Sequence, residues 1–226
     1  MRDAERIDSF RNDASPLRVS LFNDFEVNGI GLVFEEQARA EGYRFIAGVD
    51  EVGRGCLAGP VVAAACILDP SRPLPEGLDD SKKLTADKRE EIAAQLKLDC
   101  ISYAVGQIEA DEIDRINILE ATKLAMLAAI AGLHPAADFL LIDALRLKQS
   151  PIHQRAIIQG DTVSASIAAA SILAKTFRDD IMKAYDAEYP QYGFAGHKGY
   201  GAATHFAAIR KYGPCDLHRK TFRGVV

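Results

Sequence analysis

The chain has 226 residues, 48% of them hydrophobic, and carries a formal net charge of −5. That length and apolar share suit one compact domain with a proper core and room for a small appendage. The negative balance excludes a broadly basic nucleic-acid coat, so any site for a polyanion has to be local.

The opening "MRDAERIDSFRND" is charged throughout and lacks the apolar stretch of a signal peptide. The first 15 or so residues, roughly, read as polar, unpatterned and flexible. "LVFEEQARAEGY" predicts a short helix leading into the core. "YRFIAGVD" predicts a strand, and "GPVVAAACIL" a second, fully buried one entered at Gly59-Pro60. The proline-rich "DPSRPLPEGLDDSKKL" is a surface loop. Thr85 caps a helix over "TADKREEIAAQLKL", with acids in the opening turns and Ile92 and Leu96 on one face.

"CISYAVGQI" predicts a third strand. "NILEATKLAMLAAIAGL" predicts a helix capped by Asn117, its apolar residues three and four apart. "DFLLIDAL" is a short strand ending in Asp143, and "RAIIQGD" another ending near Asp161. The long Ala-rich "SASIAAASILAKTFRDDIMKAYDAEY" is a helix whose small residues permit close approach to a sheet. "PQYGFAGHKGYG" is an aromatic and glycine loop, followed by a helix from about Gly201 to Tyr212. Strands precede the first long helix and then alternate with helices, which predicts an α/β fold with a mixed sheet flanked by helices.

The four cysteines, Cys56, Cys66, Cys100 and Cys215, have no CxxC spacing. This argues against structural zinc and a disulfide framework, and it fits a reducing, cytoplasmic setting. The longest apolar runs are too short to cross a bilayer. From Ala195 onward six Lys and Arg face Asp216 alone, so a basic C-terminus is joined to an acidic remainder.

The run "IAGVDEVGRG" places Asp50 and Glu51 beside Gly53-Arg54-Gly55, a turn suited to phosphate that two carboxylates would repel. Metal ions between acids and phosphate remove the contradiction. Asp50 with Glu51, Asp143 and Asp161 all follow strand-like runs, where one sheet edge can gather them, although spacing alone leaves their convergence open. Asp143 or Asp161 taken singly reads more simply as a solvated turn acid. An oxygen-only set without histidine suits Mg2+ or Mn2+ rather than zinc, and a two-metal site of that kind holds a phosphodiester and activates water. A Walker A reading fails because Arg54-Gly55 stands where Lys-Ser/Thr is required, and no dinucleotide fingerprint opens a helix here.

"AGVDEVGRGCLAGPVVAAACIL", "DSKKL", "LLIDAL", "GDTVSASIAAASILAKTFRD" and "HKGYG…H…HRKTF" resemble, in order, the motifs of bacterial ribonuclease HII, from about Phe45 to Phe222. The resemblance implies a ribonuclease H-like mixed central sheet flanked by helices, with a C-terminal helical extension. It implies three segments: an N-terminal extension over 1–40, a catalytic domain over 41–190 and a substrate-binding helical segment over 191–226. The implied activity is metal-dependent endonucleolytic cleavage of RNA in RNA–DNA hybrids. It includes cleavage 5′ to ribonucleotides embedded in duplex DNA, leaving 3′-hydroxyl and 5′-phosphate ends.

By the same resemblance Asp50, Glu51, Asp143 and Asp161 are the catalytic carboxylates and metal ligands, Asp50 bridging two Mg2+ or Mn2+ ions and Asp161 joining with substrate present. Gly53, Arg54 and Gly55 would read the 2′-hydroxyl and the adjoining phosphate, and Tyr200 would stack on the sugar at the RNA–DNA junction. Lys82, Lys83, Ser171, Lys175, His197 and Lys198 would contact phosphates, which positions a duplex without reading its sequence. His205 and His218 read as satisfied, partly buried histidines without a catalytic role. Ala144 and Val52 depart from the family's usual glycine and alanine but leave the carboxylates in place. The implied partners are RNA–DNA hybrid and ribonucleotide-containing duplex; no membrane is expected, and with no partner-binding motif in the sequence a monomer is the default. Two rival readings keep the architecture and change the activity: a structure-specific DNA nuclease of the same fold, and a hybrid-binding module without catalysis.

Overall fold

The computed structural model describes residues 29–226. The polar opening read as flexible, and most of the 1–40 extension, lie outside them. In chain order the elements are α1 (Val33–Ala40), β1 (Ile46–Val52), β2 (Val61–Ile67), α2 (Ala86–Asp99), β3 (Ser102–Ile108), α3 (Ala110–Ile116), α4 (Ile118–Ala131), β4 (Phe139–Asp143), β5 (His153–Ile157), a 3-10 turn (Gly160–Thr162), α5 (Ala165–Glu188), α6 (Phe194–His197) and α7 (Ala203–Tyr212). The strands form one mixed sheet in the order β3-β2-β1-β4-β5. β1 pairs antiparallel with β2 and parallel with β4, so the sheet changes direction beside β1.

Period-two alternation sends successive residues of β1 to opposite faces. Ala47 and Val49 pack with Ala121, Ala125 and Met126 of α4. On the other face Val62, Ala64 and Cys66 of β2 meet Ile92 and Leu96 of α2 and Ala169 and Leu173 of α5. Burial on both sides is why "VVAAACI" is apolar without alternation. The alanines and glycines also set how near the helices come. A Cβ built on Gly48 of β1 would lie 2.0 Å from the Ser166 carbonyl carbon, and one on Gly106 of β3 would lie 2.2 Å from the Ala125 oxygen.

Thr85 caps α2 by accepting from the Lys88 N–H. Asn117 caps α4 by accepting from the N–H groups of Leu119 and Glu120. The seven residues of α3 form a helix where the sequence reading has none, because so short an element shows less than two full helical repeats. Likewise α6 interrupts the expected aromatic loop. The strand expected to run toward Asp161 stops at Ile157, since Gln159 turns left-handed at φ 54 and starts the 3-10 turn.

Helix α1 is packed against the sheet. Phe34 and Ala38 are buried with Ile46, Phe139 and Leu141. Glu35, 1% exposed, accepts from the Ser164 hydroxyl (2.7 Å) and from both the N–H (2.9 Å) and hydroxyl (2.6 Å) of Ser166. It therefore satisfies the first turn of α5, whose donors have no intrahelical acceptor. Replacing Glu35 with Ala strands those buried donors, and thermal melting should show a loss of about 1–3 kcal/mol. An unchanged melting curve would mean that α1 does not anchor α5.

Candidate active site

β1 and β4 run parallel with Val49 opposite Ile142, which brings Asp50 and Asp143 to adjoining strand ends. β4 in turn pairs with β5, placing Asp143 opposite Ile157 and close to the 3-10 turn that carries Asp161. The Gly160 N–H donates to Asp143 Oδ1 at 2.7 Å and ties that turn to the strand end. A cleft of about 260 Å3 opens here. Asp50, Glu51 and Asp143 line one wall, Gly53, Arg54 and Gly55 continue it, and Ser81, Lys82, Lys175 and Tyr200 close the rest.

The carboxylates are crowded and short of compensation. Asp50 is 4% exposed, and burial raises its pKa well above the usual range; the charges of Glu51 and Asp143 add to the rise, while the Ser171 hydroxyl and a backbone bond oppose it. Burial also raises Glu51, against the pull of Arg54, whose guanidinium lies 3.1 Å from Oε1. The other oxygen, Oε2, is buried without a hydrogen-bond partner. Burial raises Asp143 as well, with Asp161 contributing. A deprotonated set here is held against electrostatic cost.

Asp161 is buried but does not line the cleft, and its Oδ2 accepts from Lys82 Nζ at 2.7 Å. Burial alone would favour the neutral amine, yet the bond to Asp161 and the charges of Asp161, Asp80 and Asp50 raise the Lys82 pKa. Among the described residues no three Asp, Glu, His or Cys side chains close on one point as a ready metal site. Asp50, Glu51 and Asp143 thus line one cleft, and Asp161, outside its lining, is held on the lysine.

The expected substrate contacts divide. Gly53, Arg54, Gly55, Lys82, Lys175 and Tyr200 all line the cleft. Ser171 also lines it; its hydroxyl lies 3.0 Å from that of Ser81, and it opposes the rise of the Asp50 pKa. Lys83 is outside the cleft and pairs with Asp79 at 3.1 Å. His197 is not brought there either: Nε2 faces the Tyr192 carbonyl at 2.8 Å and Nδ1 accepts from the Gly199 N–H at 3.1 Å. Both ring nitrogens serve the loop backbone. Lys198 bonds the Ala195 carbonyl and lines a neighbouring groove with Arg89, Lys175 and Lys183. His205 and His218 are 0% and 1% exposed, with their Nε2 atoms 3.1 Å apart. Burial, then the neighbouring His205, takes His218 down to about 4, so it is neutral at physiological pH.

Three contributors escape sequence reasoning: Ser81, Arg178 and Arg219. A signal existed for Arg178, since Ser171, Lys175 and Arg178 share one face of α5 at helical spacing. Arg219 is fully buried within a basic tail, and nothing in "HRKTF" distinguishes it from a solvated charge.

Among the described residues no helix is long and apolar enough to cross a membrane. A family model described as Ribonuclease HII matches residues 47–225. A curated relative named Ribonuclease HII, from Syntrophotalea carbinolica, is 54% identical over 194 residues, covering 86% of this chain and 92% of that protein. The crystal structure of ribonuclease H2 from Pyrococcus horikoshii superposes with a TM-score of 0.68 at 26% identity, covering 80% of this chain and 95% of that one. Bst-RNase HIII in complex with Mn2+ has the same fold at a TM-score of 0.61 and 21% identity, covering 83% of this chain and 70% of that one.

Proposed function

This chain belongs to the ribonuclease HII family, and we propose that it cleaves the RNA strand of RNA–DNA hybrids and cuts 5′ to ribonucleotides embedded in duplex DNA. It is a ribonuclease H, a hydrolytic endonuclease; the substrate choice, the metal requirement and the residue roles below are our reading. One observation carries that reading. A single cleft sets the carboxylates of Asp50, Glu51 and Asp143 against the Gly53–Gly55 turn.

The residues present fit divalent cations. Every candidate ligand is a carboxylate oxygen, Glu51 Oε2 is buried without a partner, and three neighbouring acids carry raised pKa values that cations would relieve. Asp50, Glu51 and Asp143 would hold the ions, with Asp161 joining once Lys82 turns toward a substrate phosphate. Oxygen-only ligation suits Mg2+ or Mn2+, and a neighbour of the same fold was solved in complex with Mn2+. Bound ions of this kind activate a water and neutralise the charge that builds on a phosphodiester.

The chain's own groups do the reading. Gly53 adopts φ +90, open to glycine, and neither Arg54 nor Gly55 has a protein acceptor for its N–H among the described residues. Consecutive free amides in such a turn make a concavity for phosphate and ribose oxygens. The 2′-hydroxyl is the group that tells RNA from DNA at a given site, and Tyr200, 42% exposed at the cleft mouth, offers a ring for the adjoining sugar. Lys82 and Lys175 supply phosphate charge, which orients a duplex without reading its bases. In this reading residues 41–190 carry the chemistry and 191–226 bring Tyr200 to it.

The test is a labelled duplex with one internal ribonucleotide beside an all-DNA control, each with and without Mg2+ or Mn2+, with the product ends mapped. Cutting should require the metal, fall 5′ to the ribonucleotide and leave a 3′-hydroxyl. Equal cutting of the all-DNA duplex would overturn the substrate reading in favour of a DNA nuclease.

A further inference from the structure

Arg178 of α5 and Arg219 of the C-terminal segment are both 0% exposed. Among the described residues neither pairs with a carboxylate, and their donors go to backbone carbonyls instead. Arg178 donates from Nε to Pro60 (2.9 Å), from Nη2 to Ala58 (3.0 Å) and from Nη1 to Lys198 (2.8 Å). Arg219 donates twice to the Gly59 carbonyl (3.1 and 2.9 Å) and from Nη1 to the Arg54 carbonyl (2.9 Å). Burying an uncompensated cation costs several kcal/mol, so two such groups are a poor way to stabilise a core. Burial, the larger cause, and the nearby charge of Arg178 lower the Arg219 pKa to about 10, which leaves it charged at neutral pH.

The carbonyls they hold belong to both halves of the proposed reader. Arg54 lies in the glycine turn, residues 58–60 continue it into β2, and Lys198 precedes Tyr200 by two positions. The Arg178 side chain passes directly beneath Gly53, where a Cβ would stand 2.3 Å from Nε. Its guanidinium carbon also lies 6.0 Å from the centre of the Tyr200 ring. With these carbonyls drawn inward, the N–H groups of Arg54 and Gly55 are left free in the cleft wall. Only a guanidinium offers five donors in a fixed fork, enough to grip separate segments at once.

We infer that Arg178 and Arg219 are positioning residues that lock the Gly53–Gly55 turn and the Tyr200 loop into one rigid ribonucleotide reader. The inference rests on the reading of the turn and Tyr200 given above. Arg→Lys keeps the charge and loses the fork, so it separates geometry from simple electrostatics. A long RNA–DNA hybrid presents a 2′-hydroxyl in every register and many phosphates, whereas a lone ribonucleotide must be found by the reader itself. A loosened reader therefore harms the second substrate more.

The experiment compares wild type, R178K and R219K, with folding checked by circular dichroism. kcat/KM is measured on a duplex with one ribonucleotide and on an RNA–DNA hybrid of equal length. R178K should lower the ratio of the two at least about tenfold, a change of about 1.4 kcal/mol in transition-state stabilisation, and R219K should shift it the same way. Parallel loss on both substrates, or an unchanged ratio, would overturn the inference while leaving the carboxylate assignment intact. Failure of both variants to fold would place the pair in general stability and overturn it as well. A wild-type protein that does not cut the lone ribonucleotide would bring down the reader itself, and the inference with it.

Discussion

The Asp50→Asn variant is expected to lose metal-dependent cleavage by on the order of a thousandfold or more while keeping its fold. Asp50 is the acid that both neighbours, Glu51 and Asp143, repel, and it lies near the C-terminal end of β1, the strand at the centre of the sheet. An amide of the same shape keeps an oxygen there but cannot bring the negative charge that a pair of divalent cations needs. Stability should move the other way. The folded-state pKa of Asp50 lies above its ordinary value, so the native protein holds that proton more tightly than the unfolded chain does. The stability linked to it is fully present below the unfolded pKa of about 3.9 and is lost as pH rises through the raised folded value.

Asparagine has no such loss. In metal-free buffer the variant should melt above wild type at pH 7, by roughly 2–4 °C for each kcal/mol released, and the gap should close toward pH 4. Added Mn2+ should stabilise wild type and leave the variant nearly unmoved, because ligand binding stabilises only the state that binds. Normal turnover by Asp50→Asn would end the carboxylate assignment, whatever the melting curves show.

Gly48→Ala should be the most damaging single-methyl change in the sheet. Its Cβ would meet the Ser166 carbonyl carbon at 2.0 Å, its oxygen at 2.2 Å and the Ile167 nitrogen at 2.3 Å. All three are backbone atoms, so no side chain can rotate aside, and α5 has to leave the sheet. Overpacking typically costs 1–3 kcal/mol, and with nothing able to yield the loss here should reach about 3 kcal/mol or more, a fall of roughly 6–12 °C in melting temperature. Gly31→Ala is the control, since a Cβ there meets nothing within 4 Å and its φ is ordinary. Activity should fall with Gly48→Ala even where the protein is still folded, because α5 carries Ser171, Lys175 and Arg178 against the strand that carries Asp50. Melting within about a degree of wild type would refute the close helix–sheet contact.

Gly48 also marks the border between what the chain announces and what it conceals. Its neighbours read plainly: the apolar strands, the caps at Thr85 and Asn117, the long alanine-rich helix and the acids at the ends of "IAGVDE" and "LLID". These are local signals, arising from side-chain period, cap chemistry and turn residues, and the structure repeats them with small shifts in boundary. The role of α1 was half visible, as a helix leading into the core. That Glu35 would satisfy Ser164 and Ser166, more than a hundred positions away, was not.

His197 and Lys83 show the opposite limit. Both belong to motifs of a nucleic-acid enzyme and both are polar, yet one is spent on its own loop and the other on Asp79. Motif membership does not tell what a polar side chain bonds within its own fold, and only geometry does. Arg178 and Arg219 are the clearest case. A charged side chain in sequence reads as a solvated surface group, and nothing local reveals that most of its partners are carbonyls of a segment more than a hundred residues distant.

By itself, then, the sequence determined the α/β class, most of the strands and helices and the family, and it singled out the acids as candidates, because these rest on short-range periodicity and ordered motifs. The tertiary structure decided which acids line one cleft, that Asp161 pairs with Lys82, and which cations face inward. Those are matters of convergence, and convergence depends on strand order and on how closely α5 lies against β1, distances that no local pattern encodes.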